Sequence, residues 1–292
     1  MTTVTPPAPP VPGPPTPPTP PSGAPGPSRP SNAARAVSIV AIVLGGIVVL
    51  GTLGSAVLST LTIGAIRSES RTLEVADIDE LDVEVAGGSL RVVFADVDAA
   101  ELSVESVAGA TGWTFEQDGH ELRVSTPDRH FGGAWLFGDN GRATLTLPAS
   151  LRTTAMDASL SVAGGSLTVH DGVFRKLDAG TDAGSLDVTG TARSLTAETN
   201  AGDATLRLAD VETGELSVSA GRLTTVLSGG SPRRLTADVS AGALDLTVPD
   251  GDYDVSSDVS AGGFDNRIGS DPGASNTIRV EVSAGSASLR AG

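Results

Sequence analysis

The dipeptide Ala-Gly returns in one context at a near-constant interval: Ala163-Gly164, Ala183-Gly184, Ala201-Gly202, Ala220-Gly221, Ala241-Gly242, Ala261-Gly262 and Ala284-Gly285. Successive glycines stand 20, 18, 19, 21, 20 and 23 residues apart, and an earlier copy sits at Ala86-Gly87. A fixed period of this length marks a repeat architecture, in which one repeat cannot bury its apolar face and stacked neighbours complete the core. The residues before each corner align too. Leu177, Ala179, Thr181, Ala183 are matched by Leu195, Ala197, Thr199, Ala201, by Leu235, Ala237, Val239, Ala241 and by Ile278, Val280, Val282, Ala284. Every second position is apolar or small and those between are polar, which is strand periodicity. A second short strand follows the corner, as in Leu186-Asp-Val188, Leu206-Arg-Leu208 and Leu244–Val248.

These spacings predict an all-β fold, a β-solenoid like a parallel β-helix with coils of about 20 residues. It is expected over residues 67–292, with a less regular N-terminal section at 67–150 and regular repeats at 151–292. The repeat corners are Gly164, Gly184, Gly202, Gly221, Gly242, Gly262 and Gly285. Glycine is expected there because it accepts φ > 0 and close backbone approach. The Ala before it is small enough to stack under its copy in the next coil. Seven corners at about 4.8 Å per coil imply roughly 34 Å of stacked chain. A sandwich of hairpins is the competing β arrangement, but even spacing with aligned small residues favours the solenoid. Strands are predicted at Leu81–Val85, Leu90–Phe94, Glu101–Val107, Trp113–Phe115, Leu122–Ser125 and Ala143–Leu147, with a turn at Gln117-Asp-Gly119. This section reads as a cap that covers unpaired strand edges.

Residues 1–35 read as a disordered Pro-rich tail, with 14 Pro in the first 30 positions. Proline lacks the N–H that helices and sheets need. Such a tract is a spacer or, through segments such as Pro12-Gly-Pro-Pro15, a PxxP docking site. Residues 36–66 carry no charge over 31 positions, and sixteen of these are Leu, Ile or Val. A transmembrane helix needs about 20 apolar residues, so one span is expected here, making the membrane an integral partner. The run is too long, and too far from the N-terminus, for a cleaved signal peptide. Arg29 and Arg35 flank one side and Arg67 and Arg71 the other, so the positive-inside count ties. Unopposed positive charge upstream and a large acidic domain downstream favour a cytoplasmic N-terminus and an extracytoplasmic C-terminal domain. Gly51, Ser55 and Ser59 form a small-residue ladder that could pair two helices into a homo-oligomer.

Residues 67–292 hold 17 Lys and Arg against 35 Asp and Glu. A surface this acidic repels phosphate backbones and excludes nucleic acid as a partner. The chain has 36 Gly against six Phe, two Trp and one Tyr, a composition of turns and small side chains. Cys is absent, so disulfides play no part.

The corners Val239-Ser-Ala-Gly242, Val259-Ser-Ala-Gly262 and Val282-Ser-Ala-Gly285 resemble those of a bacterial family of putative adhesins, a β-strand-repeat domain of unknown function. The turn at Gln117–Val124, the step at Leu145–Pro148 and the step at Val248–Tyr253 are similar to that family as well. The resemblance spans about residues 73–290. It implies a right-handed β-solenoid, an envelope location and no catalysis; it carries over no catalytic residue.

The sequence holds no sign of a catalytic, cofactor or metal site. His120, His130 and His170 fall in no HxxxH or HExxH spacing, and no GxSxG elbow or phosphate-binding loop occurs. Asp250-Gly-Asp252-Tyr-Asp254 mimics the start of an EF-hand loop, but Val255 stands where Gly is required and Ala261 where Glu is required. The Gly-rich segment Pro127–Arg142 gathers Phe131, Trp135 and Phe137, flanked by Arg129, His130 and Arg142. It is either an exposed loop for a partner, a glycan or the bilayer, or a flap over the apolar end or side of the coils.

Together these features point to a membrane-anchored, non-enzymatic binding, adhesion or scaffold module for a cell-surface glycan or protein. A second reading is an envelope-stress sensor or signalling component whose Pro-rich tail meets a cytoplasmic partner. A polysaccharide-active β-helix enzyme is a third, disfavoured because its clustered carboxylates and deep groove have no counterpart here.

Overall fold

The computed structural model describes residues 67–106, 112–126 and 141–292. They are all-β: 19 strands, β1–β19, joined in one continuous sheet, with a single 3-10 turn at Ala149–Arg152. Among the described residues no helix is long and apolar enough to cross a membrane. The span expected at 36–66 and the tail expected at 1–35 lie outside the described residues.

Each repeat is a strand, a corner and a second strand. The first strands are β6 (Glu121–Ser125), β2 (Glu80–Val85), β8 (Met156–Val162), the second parts of β9 (Ser166–Thr181) and β10 (Ser185–Thr199), β12 (Thr213–Val218), β14 (Arg234–Val239), β18 (Asn276–Val282) and β16 (Tyr253–Val259). They pair in parallel in that order. The second strands form a matching parallel ladder: β7 (Arg142–Pro148), β3 (Ser89–Ala95), the first parts of β9 and β10, β11 (Asp203–Ala209), β13 (Arg222–Ser228), β15 (Ala243–Val248), β19 (Ser286–Ala291) and β17 (Gly263–Asn266). Neighbouring strands are in register, so like residues stack: Leu177 pairs with Leu195, and Val218 with Val239 and then Val282.

The alternation seen in the sequence becomes an inside and an outside. Leu81, Val83, Leu160, Leu177, Leu216 and Val280 on the first ladder are fully or almost fully buried. So are Leu90, Leu167, Leu206, Leu223 and Leu246 on the second. Both ladders turn these residues toward one aliphatic core. Burying a Leu or Val is worth about 1.5–3 kcal/mol, so the core rewards neighbouring repeats for sharing it.

The order of repeats departs from chain order at both ends. After β2 and β3 the chain lays β6 and β7 on one side, then returns to place β8 and β9 on the other. After β14 and β15 it forms β16 and β17, then comes back so that β18 and β19 lie between the two. The inward side chains explain this second inversion. β16 and β17 present Ser257 and Asn266, which tolerate an end position. In register with them, β18 and β19 present Val280 and Leu289, which are buried between two neighbours. At the first end β5 (Thr114–Asp118) pairs antiparallel with β6. β4 (Ala100–Ser106) and β1 (Arg67–Leu73) extend the other ladder beyond β7, also antiparallel.

Candidate binding surface

Hydrogen bonding continues without a break around the Ala-Gly corners. The amide of Ala201 donates to the Asp182 carbonyl, that of Ala220 to Asn200 and that of Asp203 to Gly184, at 2.8, 2.7 and 3.0 Å. This close stacking is what demands glycine. Of the seven predicted corner glycines only Gly262 has a positive φ, at 98°. At Gly184 an added Cβ would lie 2.5 Å from the Gly165 carbonyl oxygen and 2.6 Å from Cγ1 of Val162. Gly202, Gly221, Gly242 and Gly285 meet the same crowding from the repeat stacked against them, and Gly164 a milder form of it, 3.1 Å from the Ala86 oxygen. The left-handed conformation instead falls on the following glycine, Gly88 and Gly165, each with φ of 80°.

The corner alanines lie outside the core. Ala163, Ala183, Ala201, Ala220, Ala241, Ala261 and Ala284 are all exposed. The inward residue at the end of each first strand comes earlier, one position before the alanine at Val85 and Val162 and two before it at Thr181, Thr199, Val218, Val239 and Val282, and this row is buried. The chain turns away from the core at the next residue, so the alternation that brings Thr181 inside stops short of Ala183. The corner edge is a stripe of small, exposed residues. Its polar members bond along the stack where they can, as Asn200 Nδ2 donates to Asp182 Oδ1 at 2.8 Å.

Outward positions of the strands carry the charge. Arg123 bridges Glu121 at 2.6 Å and Asp82 at 3.2 Å, tying β6 to β2. The hydrogen bond to Glu121, then that to Asp82, raises its guanidinium further above its ordinary range. Lys176 meets Asp178 at 2.7 Å, and that hydrogen bond raises the ammonium group. These pairs are solvent-exposed and of small energetic worth.

One outward row has a different character. Asp238 on β14 lies beside Glu281 on β18, which lies beside Asp258 on β16. No ion pair within 4 Å compensates these three carboxylates among the described residues. Arg279 is the cation on the same face of β18, two residues before Glu281. The sequence holds the signal for this row: each acid immediately precedes the Val of a Val-Ser-Ala-Gly corner. Reading the repeats for glycine and aliphatic positions alone passes over it.

The segment with Phe131, Trp135 and Phe137 lies outside the described residues. Its bracketing residues do not. Thr126 is buried and its Oγ1 accepts the Ala86 amide at 2.7 Å, while the Gly141 carbonyl accepts the Ser89 amide at 2.9 Å. The described residues on either side, Thr126 and Gly141, thus both bond to the corner of the β2–β3 repeat. The residues of the calcium-like segment are split by function. Asp250 and Asp252 are exposed, while Tyr253 is buried and donates its hydroxyl to the Pro249 carbonyl at 2.9 Å. Burial pushes the Tyr253 phenol up, against the lowering influence of Ser231 and with a smaller push from the charge of Asp250. The segment is the connection from β15 to β16, pinned by its tyrosine. Among the described residues no group of three or more His, Asp or Glu could hold a metal ion.

No protein-family model matches the chain, and no curated protein does. Several solved structures are similar to it. A putative adhesin from Bacteroides fragilis is 12% identical, with 77% of this chain and 97% of that chain covered and a TM-score of 0.47. A putative cell adhesion protein from Clostridium sporogenes is 11% identical over 78% of this chain and 100% of that one, with a TM-score of 0.30. A putative lipid binding protein from Parabacteroides distasonis is 14% identical over 77% and 97%, with a TM-score of 0.37. Putative adhesins are thus among the solved structures the chain is similar to, as its corner motifs led us to expect.

Proposed function

We propose that residues 67–292 are a β-solenoid held outside the membrane by a span at residues 36–66, with residues 1–35 on the cytoplasmic side. In this reading the domain is a non-enzymatic binding or adhesion module for a surface glycan or protein. One observation carries it: the inward positions of both parallel ladders are filled by packed aliphatic side chains, and the chemistry stands on the outward positions. Strands about 4.8 Å apart in register repeat each outward side chain at a fixed interval. Such a surface suits contact with an extended partner better than enclosure of a small substrate.

The test is protease treatment of intact, wall-stripped cells expressing the full chain. Digestion of residues 67–292 without lysis is the expected result, and purified full-length chain should then be retained by cell walls, a glycan array or a surface protein. Protection until lysis would reverse the orientation and remove the adhesion reading.

A further inference from the structure

The repeat formed by β16 and β17 ends the sheet, and its free edge is only half covered. The connection from β17 to β18 protects the first half. Asp271 donates its amide to the Tyr253 carbonyl at 2.8 Å. Ser270 Oγ accepts the Val255 amide at 2.9 Å and donates to the Val255 carbonyl at 3.2 Å. Backbone groups of a parallel strand alternate between its two neighbours. The set that faces Ser270 therefore continues with Ser257 and Val259, and neither has a backbone partner on that side among the described residues. Val259 is also the one exposed large hydrophobic among them, at 40%. Phe264, on β17 of the same end repeat, is half-buried against the core.

We infer that the Ser257–Val259 edge receives an added strand from a partner protein, an extended segment carrying Lys or Arg. The purpose of this contact rests on the binding-module reading; its geometry does not. Strand addition to an exposed edge takes its affinity from main-chain hydrogen bonds and its specificity from alternate side chains. Here Asp258 points outward between the two open residues and heads the row Asp258, Glu281, Asp238. A basic side chain on the incoming strand meets that row, and an apolar one on its other face covers Val259. A second copy of this chain is the wrong occupant. Two-fold antiparallel pairing about this window sets Asp258 opposite its own mate, and like charges directly opposite are destabilising.

The test uses the full-length chain in detergent and a fluorescein-labelled nine-residue peptide of alternating Val and Lys, with alternating Val and Glu as control. The Val-Lys peptide should bind saturably and the Val-Glu peptide should not. Ser257→Pro removes one edge N–H that the fold does not use, a place where proline is tolerated. It should leave thermal unfolding unchanged and weaken binding at least tenfold. Asp258→Lys should reverse the preference between peptides, a readout that survives if the proline variant fails to fold. Absence of binding would overturn the inference, and so would equal binding by the Ser257→Pro chain, which would show no more than attraction to an acidic surface. So would a dimer lost on Ser257→Pro, or a cross-link from Ser257→Cys to residues 1–66 of the same chain. The protease result on cells stands or falls independently of these.

Discussion

The position a Cβ would occupy on Gly202 lies 2.6 Å from Cγ2 of Thr181, the β-branched residue that ends the first strand of the preceding repeat. The same pairing recurs between Gly184 and Val162, Gly221 and Thr199, and Gly285 and Val239. This explains why Val or Thr stands three residues before each of these glycines. The methyl group of one repeat fills the space the next glycine vacates, and the backbone passes over it at hydrogen-bonding distance.

Gly202→Ala is therefore expected to destabilise the chain by overpacking, by about 1–3 kcal/mol. Gly87 has nothing within 4 Å of its added Cβ and an ordinary φ. Gly87→Ala should change stability by less than about 0.5 kcal/mol. Denaturant unfolding of the two variants checks the contrast. Equal effects would mean that the corners relax and that close approach is not what selects glycine.

The hydroxyls of Thr181 and Thr199 are buried without a hydrogen-bond partner among the described residues. They occupy a row otherwise filled by Val162, Val218, Val239 and Val282. An unsatisfied buried hydroxyl costs about 1–3 kcal/mol. Thr199→Val keeps the shape and removes that cost, so the midpoint of unfolding should rise. A fall would show that the hydroxyl has a partner and that the row needs it.

The strands, the corners and the inward rows were legible in the sequence because the repeat places the same residue type at the same position each time. The predicted strand at Leu122–Ser125 is β6, and that at Leu90–Phe94 lies within β3. The corner alanines were read as stacked within the alternation, yet they are exposed, since periodicity does not mark where a strand turns away from its core. The order of repeats was not legible either. Val239-Ser-Ala-Gly, Val259-Ser-Ala-Gly and Val282-Ser-Ala-Gly are interchangeable as corners. Only the inward pair Ser257 and Asn266, weighed against Val280 and Leu289, marks which repeat belongs at the end.

Tyr253 is the only tyrosine in the chain, so its ionisation can be followed by absorbance without ambiguity. Burial pushes its phenol up, which means the unfolded chain releases this proton first as pH rises. The stability linked to the neutral phenol is complete below the ordinary tyrosine range and is lost as pH climbs through the raised folded value. Tyr253→Phe should flatten that alkaline decline while losing the hydrogen bond to Pro249 at neutral pH. Titration of Tyr253 at an ordinary pH in the folded chain would contradict its burial.

The inverted order of the last repeats can be read by disulfide trapping, because the natural chain has no cysteine to interfere. Thr236 on β14, Arg279 on β18 and Ser256 on β16 occupy one outward register row, with Arg279 in the middle. Adjacent strands place Cα atoms about 4.8 Å apart, within the 4.4–6.8 Å or so that a disulfide spans. Positions two strands apart fall outside it. The pair Thr236→Cys with Arg279→Cys should close under mild oxidation, and so should Ser256→Cys with Arg279→Cys. Thr236→Cys with Ser256→Cys should stay reduced. Stacking in chain order would give a different set, joining Thr236 to Ser256 and leaving Thr236 out of reach of Arg279. The edge occupied by Ser257 and Val259 would then be shared with β18 on one side and β14 on the other, and the open end of the sheet would belong to Val280 and Leu289.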